Sequence, residues 1–159
     1  MAETFHQAGD GADSGCDVRG RCLCGAVTFA ARLPKREVAI CHCDMCQRWT
    51  AGPFLTVEFA GELAIEGADS ISLYRSSEWG ERAFCKVCGT SLFWHMAGTD
   101  HYALNAGALE DKSALALTLQ IFIDEKPAYY DFANDTPKLT GAEVVAAFSG
   151  GATEHGSNA

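Results

Sequence analysis

The chain lacks long hydrophobic runs and is poor in basic residues, and each shortage excludes a class of protein. No apolar run approaches the roughly 20 residues that a membrane-spanning helix needs. The first 16 residues have neither a basic start nor an apolar stretch, so we expect no signal peptide and a cytoplasmic location. Twelve Lys and Arg against 21 Asp and Glu give a net charge of −9. Because this charge repels phosphate backbones and anionic lipid heads, we expect neither a nucleic acid nor a membrane as partner.

Familiar catalytic motifs are also missing, since the sequence contains no glycine-rich phosphate loop and no serine-hydrolase elbow. With 159 residues, 48% of them hydrophobic, the chain is long enough for one domain with a real core. Residues 1–17 and 150–159 are rich in small and polar residues and are predicted to be flexible tails. The folded domain is therefore predicted to span residues 18–149.

Cysteine, in contrast, is abundant. Seven of the eight cysteines fall into three tight clusters, at residues 22–24, 41–46 and 85–88. Spacings of one or two residues let neighbouring thiolates converge on one ion, which is typical of zinc ligands supplied by loops. A disulfide framework would require an export signal, and a Cys-x-Cys pair is badly placed to bridge itself. Gly25 and Gly89 follow two of the clusters and are predicted to adopt the left-handed conformation of a zinc knuckle.

Seven ligands are one short of two closed four-thiolate sites. The number indicates two zinc ions, one with four sulfurs and one with three sulfurs and an open position. Three thiolates on Zn²⁺ leave a formal charge of −1, which suits a site that holds a thiolate better than one that generates hydroxide. Zinc also lowers the pKa of a bound thiol from its free value of about 8.5. The spacing alone does not say which clusters share an ion.

The pattern around the cysteines is mostly that of short strands. Apolar residues alternate or cluster at residues 27–31, 54–59, 71–74, 91–95, 101–105 and 117–123. In the last of these segments, Leu117, Leu119, Ile121 and Ile123 are predicted to face the core. The sequence therefore predicts a mainly β fold, an antiparallel β domain of short strands with zinc loops at its edges.

Two helices are also predicted. Thr140 and Glu143 fit a capping box, Gly150 can end the helix, and an apolar stripe lies between them at Val144, Val145 and Phe148. A second, short helix is predicted near residues 43–49, within the central cysteine cluster.

Four segments carry a resemblance to a known family. They read GRCLCGAV at residues 20–27, CHCDMCQR at 41–48, FCKVCGTSL at 84–92 and IFIDEKPAYY at 121–130. In this order they resemble the glutathione-dependent formaldehyde-activating enzyme family, which includes the centromere protein V group. The resemblance spans about residues 18–148.

The resemblance implies an Mss4-like β fold with two zinc sites. Cys22, Cys24, Cys85 and Cys88 would form the closed site. Cys41, Cys43 and Cys46 would form the open one, where the thiol of glutathione becomes the fourth ligand. The implied activity is that of a carbon–sulfur lyase. It would form or cleave an S-hydroxymethyl adduct of glutathione or a related thiol with formaldehyde or a small aldehyde.

Two other functions are compatible with the same residues. One is a non-catalytic binding module stapled by zinc, since a fold does not fix a function. The other is a zinc- or redox-responsive protein that loses metal when Cys41, Cys43 and Cys46 are oxidised.

A few further residues are candidates for the site. Arg48 is predicted to bind a carboxylate of glutathione, the alternative being a solvated arginine beside an acidic loop. The ring of His42 is predicted to point away from the metal, in a supporting or surface position, and His95 is expected to be packed or at a rim. Cys16 is expected to be a free, exposed thiol. The tryptophans Trp49, Trp79 and Trp94 are expected either to line a pocket or to pack in the core.

Overall fold

The computed structural model describes residues 15–150, and the mainly β prediction is confirmed for them. Two α-helices occur in this range, α1 (Asp44–Thr50) and α2 (Gly141–Gly150). The strands are β1 (Cys16–Arg21), β2 (Thr28–Leu33), β3 (Glu37–Cys41), β4 (Phe54–Ala60), β5 (Ala64–Glu66), β6 (Ile71–Arg75), β7 (Gly80–Cys85), β8 (Ser91–Met96), β9 (His101–Asn105), β10 (Ala116–Ile121) and β11 (Lys138–Leu139).

The strands form two sheets. The small sheet has the order β1-β2-β5, and the large one has the order β11-β10-β3-β4-β9-β8-β7-β6. Most neighbours pair antiparallel, as predicted, but β10 runs parallel to both β3 and β11. The parallel pairs could not be anticipated from local pattern, because they join segments that are distant along the chain.

Strand β4 shows how the large sheet separates the core from the site. Successive side chains of a strand point to opposite faces. Val57 and Phe59 enter the main core, where Phe29 and Leu33 of the small sheet also lie. Phe54 points to the other face and packs with residues of α1. One face of the sheet is thus covered by the small sheet, and the other carries a second apolar cluster.

Strand β10 differs from its prediction. The most buried residue of the strand is Gln120, which is 1% exposed, while Leu117, Leu119 and Ile121 are only half-buried. The pairing with β3 shifts by one residue between Leu117 and Leu119, and this bulge changes which residues face inward. Ile123 lies beyond the strand, in a short 3-10 turn. The predicted core face of four aliphatic residues is therefore wrong.

The position of Cys16 is a second correction. Cys16 begins β1, pairs opposite Leu33 and is 8% exposed, so it is a buried thiol and not an exposed one. The strand starts inside the predicted tail because its pairing with β2 supplies hydrogen bonds that the sequence pattern does not reveal. Residues 1–14 and 151–159 of the predicted tails lie outside the described residues.

Helix α2 begins as predicted. The N–H of Glu143 donates to Oγ1 of Thr140, and the N–H of Thr140 donates to Oε2 of Glu143. These are the two reciprocal bonds of a capping box. Neither α2 nor any other helix within residues 15–150 is long and apolar enough to cross a membrane.

Candidate metal centre

Four cysteines from two turns form the first cluster. Cys22 and Cys24 lie after β1, Cys85 and Cys88 lie at the end of β7, and their sulfurs are all within 4.8 Å of one another. The two turns are brought together although Cys24 and Cys85 are 61 residues apart in sequence. These are the four cysteines that the family resemblance grouped.

The turns have the backbone predicted for them. Gly25 and Gly89 have φ values of 80° and 78°, a conformation that glycine adopts at little cost. Their N–H groups donate to the carbonyls of Cys22 and Cys85, at 3.1 and 2.7 Å. The hydroxyl of Thr90 lies 3.2 Å from the sulfur of Cys88 and, with the Thr90 backbone, lowers the pKa of that thiol to about 5.

The second cluster is built around the start of α1. Cys41 ends β3, Cys43 is the N-cap residue of the helix, and Cys46 lies in its first turn. Their three sulfurs are also within 4.8 Å of one another. Sγ of Cys43 accepts the N–H of Cys46 at 3.4 Å, so a thiol takes the capping position that Ser or Asp usually occupies. The short helix was predicted, and its N-terminus presents the thiols.

The donor chemistry of the second cluster fits a cation. A hydrogen bond from Cys41 lowers the pKa of Cys43 to about 2, while the pKa of Cys41 is raised by its bonds to Cys43 and Cys46. Three adjacent thiols therefore do not lose their protons together without a compensating positive charge. Sulfur donors of this number and spacing suit zinc. Each cluster could hold a metal ion.

His42 supports the second cluster from behind. The side chain is fully buried, and its ring nitrogens lie 2.7 Å from the hydroxyl of Tyr130 and 2.9 Å from Oε1 of Gln120. Because the amide nitrogen of Gln120 donates to Thr136, Nε2 of His42 donates to Gln120 and Nδ1 accepts from Tyr130. Burial lowers the pKa of His42, so the ring is neutral at pH 7. The ring points away from the sulfurs, as predicted, but it is buried and not at the surface.

The cysteine loop is also tied to the segment that follows β10. Nε2 of Gln47 donates to the carbonyls of His42 and Glu125, and the N–H of Asp44 donates to Oε2 of Glu125 at 2.6 Å. The first turn of α1 is thereby anchored to the segment after β10 through Asp44 and Gln47. Such anchoring preorganises a ligand set.

A pocket of about 330 Å³ opens above the second cluster. Its floor is formed by Cys41, Cys43 and Cys46. The large sheet, two segments that adjoin its strands and helix α2 provide its sides, with aromatic and aliphatic side chains that include Phe54, Trp79, Trp94, Phe122, Val145 and Phe148. Two of the three tryptophans line the pocket, and Trp49 packs edge-on against Phe54 beside it.

Arg82 is the cation of this pocket. It is 5% exposed, and Nη2 donates to Sγ of Cys46 at 3.5 Å. Nη1 donates to Ser76, the guanidinium carbon lies 5.4 Å from the centre of the Trp49 ring, and Nε has no hydrogen-bond partner. Sequence reasoning missed this residue. The signal that could have found Arg82 was its position three residues before Cys85 in the same strand. Side chains three residues apart in a strand point to opposite faces of the sheet.

Phe122 is held in an unusual conformation at the pocket wall. Its φ of 55° is positive, which is uncommon for a bulky residue and costs about 1–3 kcal/mol. The ring packs against Gly141 at the start of α2, where a Cβ would lie 2.8 Å from Cδ1 of Phe122. Gly141 therefore allows the helix to approach and close one side of the pocket.

Two ionisable residues of the pocket were not predicted. Oε2 of Glu58 lies 3.7 Å from Nε2 of His101. Burial raises the pKa of Glu58. Only the alternation of side chains along β4 and β9 could have suggested that Glu58 and His101 point to the same face of the sheet.

Arg48 and His95 occupy ordinary positions. Nε of Arg48 donates to Asp44 at 2.8 Å in an exposed pair on α1, and the proposed contact with a substrate carboxylate stays a prediction. His95 stacks on Tyr102 and hydrogen-bonds to Glu81 and to the carbonyl of Thr99, so it is packed at the rim of the sheet.

Comparisons with known proteins agree with the geometry. A protein of Schizosaccharomyces pombe described as an uncharacterized lyase is 33% identical over 130 residues, which cover 81% of this chain and 95% of that protein. A crystal structure of a Rhodobacter sphaeroides protein has a TM-score of 0.53 at 20% identity, covering 76% of this chain and 98% of that one, and shares the fold. The family model described as glutathione-dependent formaldehyde-activating enzyme matches residues 17–125. The chain therefore belongs to the glutathione-dependent formaldehyde-activating enzyme family.

Proposed function

We propose that this protein is a carbon–sulfur lyase. It forms or cleaves the S-hydroxymethyl adduct of a thiol, glutathione or a related one, with formaldehyde or another small aldehyde. The observation that carries the proposal is the asymmetry of the two clusters. Four cysteines can complete a tetrahedral site on their own, whereas three cysteines form the floor of an open pocket. Family membership and the lyase relative support a reaction of this class.

The residues assigned to metal binding are the seven clustered cysteines, with one zinc ion in each cluster. Cys22, Cys24, Cys85 and Cys88 hold a structural ion, while Cys41, Cys43 and Cys46 hold the ion of the reaction site. An ion held by Cys41, Cys43 and Cys46 would leave one further position, and it would favour the thiolate form of a substrate thiol there. The reaction needs reduced thiols, which is consistent with a cytoplasmic location.

The reaction requires few groups. In the cleavage direction the C–S bond breaks and its electron pair leaves with sulfur. The electron pair of the hydroxyl O–H bond becomes the second carbon–oxygen bond of the aldehyde, and the hydroxyl proton needs an acceptor. In the reverse direction the same proton is returned to the new alkoxide oxygen.

Glu58 is the acceptor that we propose. Burial raises the pKa of this carboxyl, which brings it closer to the value that suits proton transfer near neutral pH. The burial is partial, since 41% of the side chain is exposed, so Oε2 can also exchange the proton with solvent. His101, at 3.7 Å, can orient the carboxylate or take the proton from it. Arg82 contributes a fixed positive charge beside Cys46.

The test is an exchange measurement on the zinc-loaded full chain. Nuclear magnetic resonance exchange spectroscopy follows the interconversion of a thiol plus formaldehyde with its hydroxymethyl adduct. The wild-type protein should accelerate this exchange, and Cys43→Ser should remove the acceleration. Cys16→Ser is the matched control, because Cys16 is a buried cysteine outside both clusters, and this variant should keep the acceleration.

The opposite result would contradict the proposal. If the protein holds two zinc ions per chain and accelerates no thiol exchange, the three-cysteine site is not catalytic in this reaction. The zinc-stapled binding module would then be the better function. Loss of one zinc upon mild oxidation, reversed by a reductant, would favour the redox-responsive alternative instead.

A further inference from the structure

The side chains that line the pocket above Cys41, Cys43 and Cys46 are mainly apolar. Trp94 and Phe54 come from the large sheet, Trp79 comes from the turn between β6 and β7, and Phe122, Val145 and Phe148 come from the opposite side of the pocket. Trp79, Val145 and Phe148 are also among the exposed large hydrophobic residues of the described chain, at 49%, 55% and 49%. The apolar lining therefore extends from the cysteines to the mouth of the pocket. Burial of a ligand's apolar surface against such walls is favourable roughly in proportion to the area buried.

The charges in the same pocket are mostly negative. Arg82 is the one arginine or lysine of the lining, against the carboxylates of Glu58, Glu125 and Asp44, the last of which pairs with Arg48 on helix α1. Arg82 is directed to the sulfur of Cys46 and to Ser76. A three-thiolate zinc site adds a further formal negative charge. Glutathione carries two carboxylates and one ammonium, and a carboxylate that entered the pocket would meet a single guanidinium of which only Nε is without a hydrogen-bond partner.

We propose that the pocket selects a thiol with an uncharged, apolar body, and that glutathione is a poor substrate relative to such a thiol. This inference rests on the proposed function, because it names the substrate class of the same site. The apolar body lies between Trp79 and Trp94 on one side and helix α2 on the other, with its sulfur directed to the cysteines on the floor. Like-charge repulsion from Glu58 and Glu125, and the lack of polar partners on the apolar walls, disfavour the carboxylates of glutathione.

The three tryptophans of the chain provide a direct readout. Trp79 and Trp94 line the pocket, Trp49 packs beside it, and the sequence contains no other tryptophan. Ligand binding in the pocket should therefore change the intrinsic fluorescence of the zinc-loaded protein. Three probes separate the contributions: benzyl mercaptan is an apolar thiol, glutathione is a charged thiol, and ethylbenzene is apolar without a thiol.

We expect benzyl mercaptan to bind at least ten-fold more tightly than glutathione. Its value of kcat/KM for exchange with formaldehyde should be higher by a similar factor. Ethylbenzene should bind more weakly than benzyl mercaptan, and Cys43→Ser should remove the difference between these two. If ethylbenzene binds as tightly as benzyl mercaptan in the wild-type protein, the pocket is an apolar cavity that does not recognise thiols, and the inference is overturned.

Two variants test the walls and the charge separately. Phe148→Ser should weaken the binding of benzyl mercaptan several-fold. Ala147→Ser, an exposed change at the neighbouring position of α2, should leave this binding unchanged. Glu125→Gln removes one negative charge but keeps an acceptor for the N–H of Asp44, and it should raise the affinity for glutathione several-fold relative to the affinity for benzyl mercaptan.

The two proposals fail in different ways. Equal or tighter binding and turnover of glutathione would overturn the inference about the substrate and leave the lyase function intact. If no thiol binds or exchanges, the lyase function itself is overturned.

Discussion

Nη2 of Arg82 on strand β7 lies 3.5 Å from Sγ of Cys46 on helix α1. The arginine is almost fully buried, and the partners of its guanidinium are a sulfur, a serine hydroxyl and the face of Trp49. A buried charge is costly unless it is compensated. A cluster of thiolates with a net negative charge provides that compensation, so the arginine and the three-cysteine site stabilise each other.

Replacement of Arg82 by methionine tests this relationship. Arg82→Met keeps most of the side-chain volume but removes the charge and the hydrogen bond to Cys46. We expect the affinity of the three-cysteine site for zinc to fall by about 10–100-fold, the usual cost of losing an outer partner of a metal ligand. Competition with a chromophoric chelator measures the affinity of each site.

Arg75→Met is the control for that experiment. Arg75 lies on the adjacent strand β6 and makes an exposed pair with Glu81. Its replacement should leave both zinc affinities unchanged. An equal loss of affinity in the two variants would mean that general electrostatics, and not the contact with Cys46, is responsible.

The two cysteine clusters should differ in their effect on stability. Cys88→Ser opens a site that joins turns 61 residues apart, so it should lower the melting temperature by roughly 10 °C and remove one zinc. Cys43→Ser changes a cluster that is local in sequence, so it should reduce activity more than it reduces the stability of the fold. Differential scanning calorimetry with metal analysis makes the comparison, and equal melting behaviour would refute this division of roles.

The buried histidine should contribute to stability through its two hydrogen bonds. His42→Phe leaves Oε1 of Gln120 and the hydroxyl of Tyr130 without their partner. We expect the free energy of unfolding to fall by about 1–3 kcal/mol, the cost of an unsatisfied buried polar group. Urea unfolding of the zinc-loaded protein measures it.

Tyr130→Phe is the milder comparison for His42→Phe. It removes only the bond to Nδ1 and should cost about 1 kcal/mol. If His42→Phe is no less stable than the wild type, the hydrogen bonds of His42 do not hold the cysteine loop.

The carboxyl of Glu58 should make stability depend on pH. Its pKa is raised in the folded protein because burial disfavours the charged form. Ionised Glu58 therefore destabilises the fold above that pKa, and stability is regained as pH falls through it. Glu58→Gln should raise the melting temperature at pH 7, and this advantage should shrink as the pH falls toward the raised pKa of Glu58. The exposed Glu62→Gln is the control, and a Glu58→Gln variant that is less stable at pH 7 would contradict the prediction.

The sequence by itself determined the features that depend on neighbouring residues. The spacing within each cysteine cluster, the left-handed glycines Gly25 and Gly89, and the capping box of Thr140 and Glu143 are all short-range, so their geometry follows from a few consecutive residues. Period-two alternation also found most strands, because each has one face against the core.

Only the tertiary structure decided which distant residues meet. The pairing of Cys22 and Cys24 with Cys85 and Cys88 came from a family resemblance, and the fold gives its physical basis by placing the ends of β1 and β7 side by side. The burial of Cys16 depends on pairing with β2, and that of Gln120 depends on a bulge against β3. Arg82 and Glu58 reach the cysteine pocket because their strands lie in one sheet and both side chains point to the face that is not covered by the small sheet. Such contacts are fixed by strand order and register, and these emerge only when the whole chain packs.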